Sequence, residues 1–161
     1  MKIDKLIVAY TRIRMFDPLN NCFSLASRRL SRVIGQIYDK ALAGSGLKIT
    51  QFSVLTAVGY AQDQDLPLGV IAKAIDMDKS TLTRALNPLV RDGFVIMSKG
   101  EDRRQRSVKL TSAGHLLLAE ATVSWSKAQS QIETLLGETS FAEGHRTMTA
   151  MRRKISSKND N

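Results

Sequence analysis

The segment Asp78–Thr111 limits the possible folds of this chain more than any other, because a helix, a charged turn and two strands follow one another within it. The helix opens the segment, and Gly93 ends it. Residues 94–99 (FVIMSK) and 107–111 (SVKLT) alternate apolar with polar or basic side chains, as half-buried strands do. The turn at 100–106 (GEDRRQR) joins the strands. Helix, strand, charged turn and strand are, in order, the parts of a winged helix-turn-helix.

This segment is also strongly basic. Between Lys79 and Leu110, eight lysines and arginines stand against three acidic residues, which gives a net charge of +5. The whole chain carries a net charge of +9, and its pI is near 10.0. Such a balance favours an anionic partner, and we expect double-stranded DNA. A generally basic soluble protein is the alternative that charge alone does not exclude.

Individual side chains of the segment suit DNA contact. Ser80 and Thr81 place hydroxyl groups at the start of the helix, where they can reach phosphates or bases, and Arg84 can pair with a guanine edge. Arginines suit the tip of the wing, because a narrow minor groove concentrates negative potential. Solvated surface is the alternative for Arg91 and Lys99. The predicted DNA-binding residues are Lys79, Ser80, Thr81, Arg84, Asn87, Arg91, Lys99, Arg103, Arg104 and Arg106.

Helices are predicted before and after the winged helix-turn-helix, because apolar residues recur every three or four positions there. Their apolar faces need a partner, and we expect a homodimer. The predicted fold class is mainly α with a small β-wing, a winged helix-turn-helix with N- and C-terminal dimerisation helices. The predicted division is an N-terminal arm at 1–19, dimerisation helices at 20–45 and 112–156, a winged helix-turn-helix DNA-binding domain at 46–111, and a tail at 157–161.

Local signals predict where the helices begin and end. The turn of the helix-turn-helix is expected at 76–78. Pro88 falls inside the helix that follows, where it removes a backbone hydrogen bond. We expect that helix to bend at Pro88 and continue to Asp92, because the apolar stripe persists. The predicted caps are Asn20 or Asn21, Thr50, Asp78 and Thr111, and the predicted stops are the stretch 44–46 and Gly137.

Catalysis and metal binding find little support in the residues. His115 and His145 lie 30 positions apart without an HxxxH pair, and the single Cys22 excludes a disulfide framework within the chain and a cysteine-rich zinc site. We therefore expect no enzyme activity, no metal and no cofactor. The apolar run at 6–10 is too short for a signal peptide or a transmembrane helix, so we expect a cytoplasmic protein without a membrane partner.

Five stretches occur in an order typical of one family of regulators. They are RRLSRVIGQIYDKAL at 28–42, GLKITQFSVL at 46–55, IAKAIDMDKSTLTRALNPLVRDGFV at 71–95, EDRRQR at 101–106 and LTSAG at 110–114. Together they resemble the MarR family of bacterial transcriptional regulators (multiple-antibiotic-resistance regulators) over roughly residues 22–115. The resemblance implies a dimer of winged helix-turn-helix subunits whose end helices dimerise. It also implies that the second helix of each motif lies in a major groove, and we expect a repressor bound to an inverted repeat.

The family's wing pattern is an Asp followed at two and four positions by basic residues. It falls on Asp102, Arg104 and Arg106, and we expect Asp102 to orient an arginine of its own wing. Arg103 stands where Pro is frequent in the family, and it adds charge to the tip. A winged-helix module that binds protein is the alternative class of function. Three arginines within four residues of the wing favour DNA instead.

Many members of this family respond to small aromatic or phenolic ligands, which implies that a small apolar or phenolic effector releases the DNA. The predicted pocket residues are Tyr38, Phe52 and His115, and Tyr60 and Trp125 are further aromatic side chains that could line such a pocket. Core packing is the alternative role for the aromatic residues. A surface or core histidine is the alternative for His115.

The stretch Cys-Phe-Ser-Leu at 22–25 is similar to the Cys-Phe-Ala-Leu of an organic-peroxide-sensing branch of the same family. A helix N-terminus favours a thiolate, so Cys22 is a candidate redox site, and a peroxide-responsive sensor is the alternative function. The match is incomplete, because Ala26 holds a position where that branch has a tyrosine and Tyr38 lies about two positions beyond the pattern. A small buried residue at the dimer interface is the other possibility for Cys22.

Overall fold

A computed structural model describes residues 17–61, 65–99 and 106–159. These residues fall into two compact units that divide within one long helix, between Ile37 and Tyr38. The first unit contains helix α1 (Pro18–Asn21) and the first part of helix α2 (Phe23–Leu42). Most of the predicted N-terminal arm lies outside the described residues.

The start of α1 is fixed by the side chain of Asp17. Asp17 caps this helix, because its Oδ1 accepts hydrogen bonds from the backbone N–H groups of Leu19 (3.0 Å) and Asn20 (3.3 Å). The side-chain amide of Asn20 donates to the same carboxylate and is the main reason that the pKa of Asp17 is lowered. Asn20 and Asn21, the predicted caps of the long helix, lie within α1, and α2 begins only at Phe23, so that prediction was wrong. Pro18 takes the first position of α1, where its missing N–H leaves no helical hydrogen bond unmade.

In the second unit, α2 ends as expected and the next helix begins differently. A short 3-10 turn (Ala43–Ser45) leads to Gly46, which adopts the left-handed conformation with φ 71°. Helix α3 (Ile49–Gly59) then starts one residue before the predicted cap Thr50, so that prediction was wrong. The Oδ1 atom of Asp39 accepts the Ile49 N–H at 2.8 Å, and this carboxylate from the preceding helix replaces the expected hydroxyl.

The winged helix-turn-helix continues with α4 (Leu68–Ala74), α5 (Lys79–Arg91), β2 (Val95–Lys99) and β3 (Arg106–Leu110). A third strand, β1 (Leu66–Pro67), was not predicted. The strands pair antiparallel in the order β1-β3-β2, with Leu66 opposite Val108. Pro67 is tolerated there because β1 is an edge strand. The two longer strands confirm the predicted hairpin to within one residue at each end.

The hydrophobic core of the winged helix-turn-helix fixes the orientation of α5. Leu82, Leu86 and Leu89 are buried on its inner side, where α5 packs against α3, α4 and β2. The helix continues past Pro88, as predicted, and ends at Arg91, one residue before the predicted end at Asp92. Because this apolar stripe is buried, the opposite stripe of α5 faces solvent. The largest fully buried side chains of the unit are Leu42, Leu55, Ile71, Leu82, Leu86, Leu89, Val54, Val58, Val95 and Val108.

Two helices complete the chain, α6 (Ser112–Leu136) and α7 (Glu138–Asn159). The Oγ1 atom of Thr111 accepts the Gly114 N–H at 3.0 Å, which confirms the predicted cap. Gly137 ends α6 with φ 78°, as predicted. Helix α7 extends to Asn159 and so takes in part of the predicted tail. Among the described helices, none is long and apolar enough to span a bilayer.

Candidate nucleic-acid interface

The N-terminus of α5 is organised by the carboxylate of Asp78. Its Oδ1 accepts the backbone N–H groups of Ser80 and Thr81, both at 2.9 Å. The two side-chain hydroxyls also donate to this carboxylate, from Ser80 Oγ to Oδ1 and from Thr81 Oγ1 to Oδ2, both at 2.6 Å. These hydroxyl bonds, together with the backbone bonds, hold the pKa of Asp78 far below its usual range. Asp78 is therefore ionised at neutral pH, and it confirms the predicted cap.

The same geometry changes what the hydroxyls can do. Because Ser80 and Thr81 donate their protons to Asp78, they offer only lone pairs to other groups in this arrangement. One lone pair of Ser80 faces the guanidinium of Arg84, whose Nη2 lies 3.4 Å from Ser80 Oγ. Ser80, one of the residues predicted to contact DNA, thus also links Asp78, the cap of α5, to Arg84 one helical turn away.

Four predicted residues lie exposed along the outer face of α5: Lys79, Arg84, Asn87 and Arg91. Arg91 differs from the others because it forms a two-point ion pair with Asp92, with Nε–Oδ1 at 2.8 Å and Nη2–Oδ2 at 3.1 Å. This contact raises the pKa of Arg91 and lowers that of Asp92. Arg91 is therefore already partly neutralised, whereas Arg84 has a neutral hydroxyl beside it.

A groove joins the start of α5 to the base of the wing. It has a volume of about 600 Å³ and brings Lys79 and Arg106 to one site, although they lie 27 positions apart. The guanidinium of Arg106 is exposed and lies 3.8 Å from the sulfur of Met97. Sequence analysis did not find the other wall, formed by β1 and the start of α4, because it did not predict β1. The lining residues are Pro67, Leu68, Gly69, Val70, Lys79, Thr83 and Arg106.

The remaining predicted wing residues can be placed only in part. The backbone of Lys99 lies opposite Arg106 in the β2–β3 register, which brings it to the base of the wing. Asp102, Arg103 and Arg104 lie outside the described residues, so their predicted roles stay predictions.

Comparison with known proteins shows to which family this chain belongs. The family model described as the MarR family matches residues 45–105, which include α3, α4, α5 and β2. The structure is also similar to that of the M. tuberculosis transcriptional regulator MosR in complex with DNA, with a TM-score of 0.76 and 30% sequence identity. That match covers 85% of this chain and 98% of MosR. The chain belongs to the MarR family.

Two further proteins are similar to this chain, one in part of its sequence and one in its fold. HTH-type transcriptional repressor YetL from Bacillus subtilis (strain 168) is 33% identical over 92 residues, which cover 56% of this chain and 55% of YetL. The chain thus matches little more than half the length of that protein. CouR from Rhodococcus jostii RHA1, solved with p-coumaroyl-CoA, shares the fold with a TM-score of 0.68 at 19% identity, over 83% of this chain and 93% of CouR. MarR-family proteins are transcriptional regulators, which confirms the prediction that this chain is not an enzyme.

The MarR-family chain has a second, mostly apolar groove of about 390 Å³ between α3 and α6. The rings of Phe52 and Trp125 stack at its base, with centroids 6.0 Å apart and planes at 18°. Phe52, Tyr60 and Trp125 line the groove, together with residues at helical spacing that were not predicted, and their role in ligand binding stays a prediction. The full lining is Phe52, Thr56, Gly59, Tyr60, Leu118, Thr122 and Trp125.

The other two predicted pocket residues lie elsewhere. The hydroxyl of Tyr38 donates to Gln129 Oε1, and burial raises the pKa of Tyr38. His115 is exposed in the first turn of α6. Neither Tyr38 nor His115 is among the residues that line this groove.

Cys22, the candidate redox residue, stands between α1 and α2. Its backbone is extended (φ −81°, ψ 109°), its carbonyl accepts the Ala26 N–H at 2.9 Å, and the residue is partly exposed. A peroxide could reach it in this subunit, and its redox role stays a prediction. Within the described ranges, no three His, Cys, Asp or Glu side chains are grouped so that they could hold a metal ion.

Proposed function

We propose that this chain is a sequence-specific DNA-binding transcriptional regulator, acting as a repressor that binds an inverted repeat as a homodimer. The observation that carries the proposal is the exposed face of α5, on which Arg84 is held beside Ser80 next to a groove containing Lys79 and Arg106. MosR, which this chain resembles over nearly the whole length of MosR, was solved with DNA, and YetL is named a repressor.

In this proposal α5 lies in the major groove. Its inner face is fixed by buried leucines, so Arg84 and Asn87 point outward and can meet base edges. Arg84 can donate two parallel hydrogen bonds to a guanine, while Asn87 suits an adenine. The hydroxyl of Ser80 limits the positions open to the Arg84 guanidinium, which lowers the entropy lost when the base contact forms.

The groove at the base of the wing suits the DNA backbone. Lys79 and Arg106 are cations on different elements facing one concave surface, and a phosphate between them would contact both. Such contacts supply affinity without reading sequence. Arg103 and Arg104, which lie outside the described residues, add two positive charges to the sequence of the wing, for which a minor-groove contact is proposed.

The homodimer is proposed through residues 20–45 and 112–156. Large apolar side chains are exposed along these segments, which is the pattern expected for a surface covered by a second copy. A C₂ dimer would place two α5 helices on half-sites whose centres are about 10–10.5 bp apart, or a multiple of that distance. The exposed side chains are Phe23, Leu30, Val33, Leu116, Val123, Leu135, Leu136, Met148, Met151 and Ile155.

A salt titration tests the DNA assignment against a protein-binding winged helix. Because phosphate contacts release counterions, we expect the logarithm of the DNA association constant to fall linearly with the logarithm of salt concentration, with a slope of about −0.9 for each phosphate contact. Light scattering at micromolar concentration should give the mass of a dimer. A protein that binds no duplex at low salt would favour the protein-interaction alternative.

The proposed effector is a small apolar or phenolic compound that binds the groove between α3 and α6 and releases the DNA. Trp125 is the single tryptophan of the chain and lines that groove. We therefore expect saturable quenching of protein fluorescence by phenolic acids, with the same compounds weakening DNA binding. The ligand must bind the DNA-free state better, since equal affinity for both states would shift nothing.

The variant Thr122→Phe provides the control, because it fills the groove from an exposed position of α6. It should retain DNA binding and lose both the quenching and the release. If the phenolic acids release DNA equally from this variant, the effector site lies elsewhere. If they release no DNA from the wild type, cumene hydroperoxide should be tried beside Cys22→Ser, because the redox alternative predicts release that depends on that thiol.

A further inference from the structure

An ion pair joins the turn of the helix-turn-helix to the last helix of the chain. The carboxylate Oδ2 of Asp76 accepts a hydrogen bond from Nη1 of Arg152, which lies on α7. The two residues are 76 positions apart. Asp76 stands two positions before Asp78, the residue that caps α5. The pair therefore connects α7 to the point at which the proposed recognition helix begins.

The backbone at Asp76 makes this residue unusual. Its φ of 49° is left-handed, and it is the non-glycine residue with positive φ among those that the structure describes. The turn closes α4, since the Met77 N–H donates to the Ala72 carbonyl (2.9 Å) and the Ile75 N–H to the Ile71 carbonyl (3.1 Å). At this position of a helix end, glycine or asparagine satisfies the backbone more readily. Unlike glycine or asparagine, an aspartate at this position carries a negative charge that can pair with Arg152.

The exposure of the pair indicates a role other than stability. The side chain of Arg152 is 54% exposed and that of Asp76 is 53% exposed. Ion pairs in contact with water add little to folding stability. A contact of this kind between two elements can nevertheless bias their relative position, because each element is packed into its own neighbours. Here α7 packs on α6, and α5 packs on α3, α4 and β2.

We propose that Asp76 and Arg152 are positioning residues for DNA binding, forming a tether through which α7 holds the helix-turn-helix turn and thereby the start of α5. This inference rests on the proposed function, because it concerns the helix that reads DNA. A tethered turn leaves α5 fewer orientations before it meets the DNA groove, so less conformational entropy is lost on binding. Breaking the tether should weaken operator binding although neither side chain is assigned to DNA.

The charges of the pair allow a sharp test. Arg152→Gln removes a positive charge and Asp76→Asn removes a negative one, so simple attraction to DNA predicts weaker binding for the first and tighter binding for the second. The tether predicts that both variants lose operator affinity by a similar factor, about threefold to tenfold. Asparagine keeps the left-handed turn favourable, so backbone strain does not enter the comparison. Arg153→Gln removes the same charge from the adjacent exposed position and serves as the matched control.

The double variant Asp76→Asn/Arg152→Gln should lose no more affinity than either single variant, because the second change breaks a contact that is already lost. Opposite effects of the two single variants, additive effects in the double variant, or an equal loss in Arg153→Gln would overturn the proposal. Amide hydrogen exchange without DNA gives an independent readout. The Met77 amide should exchange faster in both single variants, and unchanged protection would also overturn the tether. If the wild type binds no duplex, the proposed function fails while hydrogen exchange still decides on the tether.

Discussion

Replacing Gly114 with alanine should destabilise the protein by about 3 kcal/mol, which corresponds to a fall in Tm on the order of 6–12 °C. A Cβ atom at this buried position would lie 2.1 Å from the carbonyl oxygen of Phe94. That oxygen belongs to the backbone at the entry to β2 and accepts the Thr111 N–H at 3.1 Å, so it cannot move without breaking the junction between wing and α6. Thermal unfolding followed by circular dichroism measures the effect.

Gly144→Ala is the matched control, because Gly144 also lies within a helix and a Cβ atom there would meet nothing within 4 Å. Alanine in a helix is favoured over glycine by roughly 0.5–1 kcal/mol. The two identical substitutions should therefore shift Tm in opposite directions. Equal Tm values for Gly114→Ala and the wild type would mean that α6 does not start against Phe94.

Arg84→Ala should reduce the ratio of operator affinity to random-DNA affinity by about 5- to 150-fold, the equivalent of about 1–3 kcal/mol for a base-edge contact. Arg84 lies exposed on the outer face of α5, where its guanidinium is held by Ser80 and can meet a base. The measurement is a titration of both duplexes at one salt concentration, since affinities at different salt concentrations cannot be compared.

Arg106→Ala is the comparison, because Arg106 faces the proposed phosphate groove instead of the base edges. It should weaken binding to both duplexes alike and reduce the salt slope by about one unit. If Arg84→Ala lowers affinity equally on every sequence, Arg84 is a phosphate contact and the specificity must come from other residues of α5.

The features predicted from sequence were those with a local cause. Asp78 and Thr111 cap their helices through hydrogen bonds to residues two or three positions away, and a short sequence window contains both partners. The inner and outer faces of α5 follow from helical spacing alone. The same spacing correctly predicted that the helix continues past Pro88. The exposed positions of Arg84 and Asn87 could therefore be predicted without a structure.

The missed features depend on contacts between distant parts of the chain. Strand β1 has two residues, and it exists only because Leu66 and Pro67 pair with β3. The first N–H of α3, that of Ile49, donates to Asp39, which lies ten positions earlier in the chain. The partner of Asp76 is on α7. A sequence window contains no signal for these pairings, because side-chain direction and packing decide them.

Selection from random duplexes tests the proposed function most directly. The wild-type protein is incubated with a pool of random sequences, and the bound fraction is amplified and sequenced over several rounds. We expect enrichment of an inverted repeat with half-site centres about 10–10.5 bp apart or a multiple of that distance. In the Arg84→Ala variant, one base pair in each half-site should lose its preference. A pool that stays random after selection by the wild type would contradict sequence-specific binding by α5.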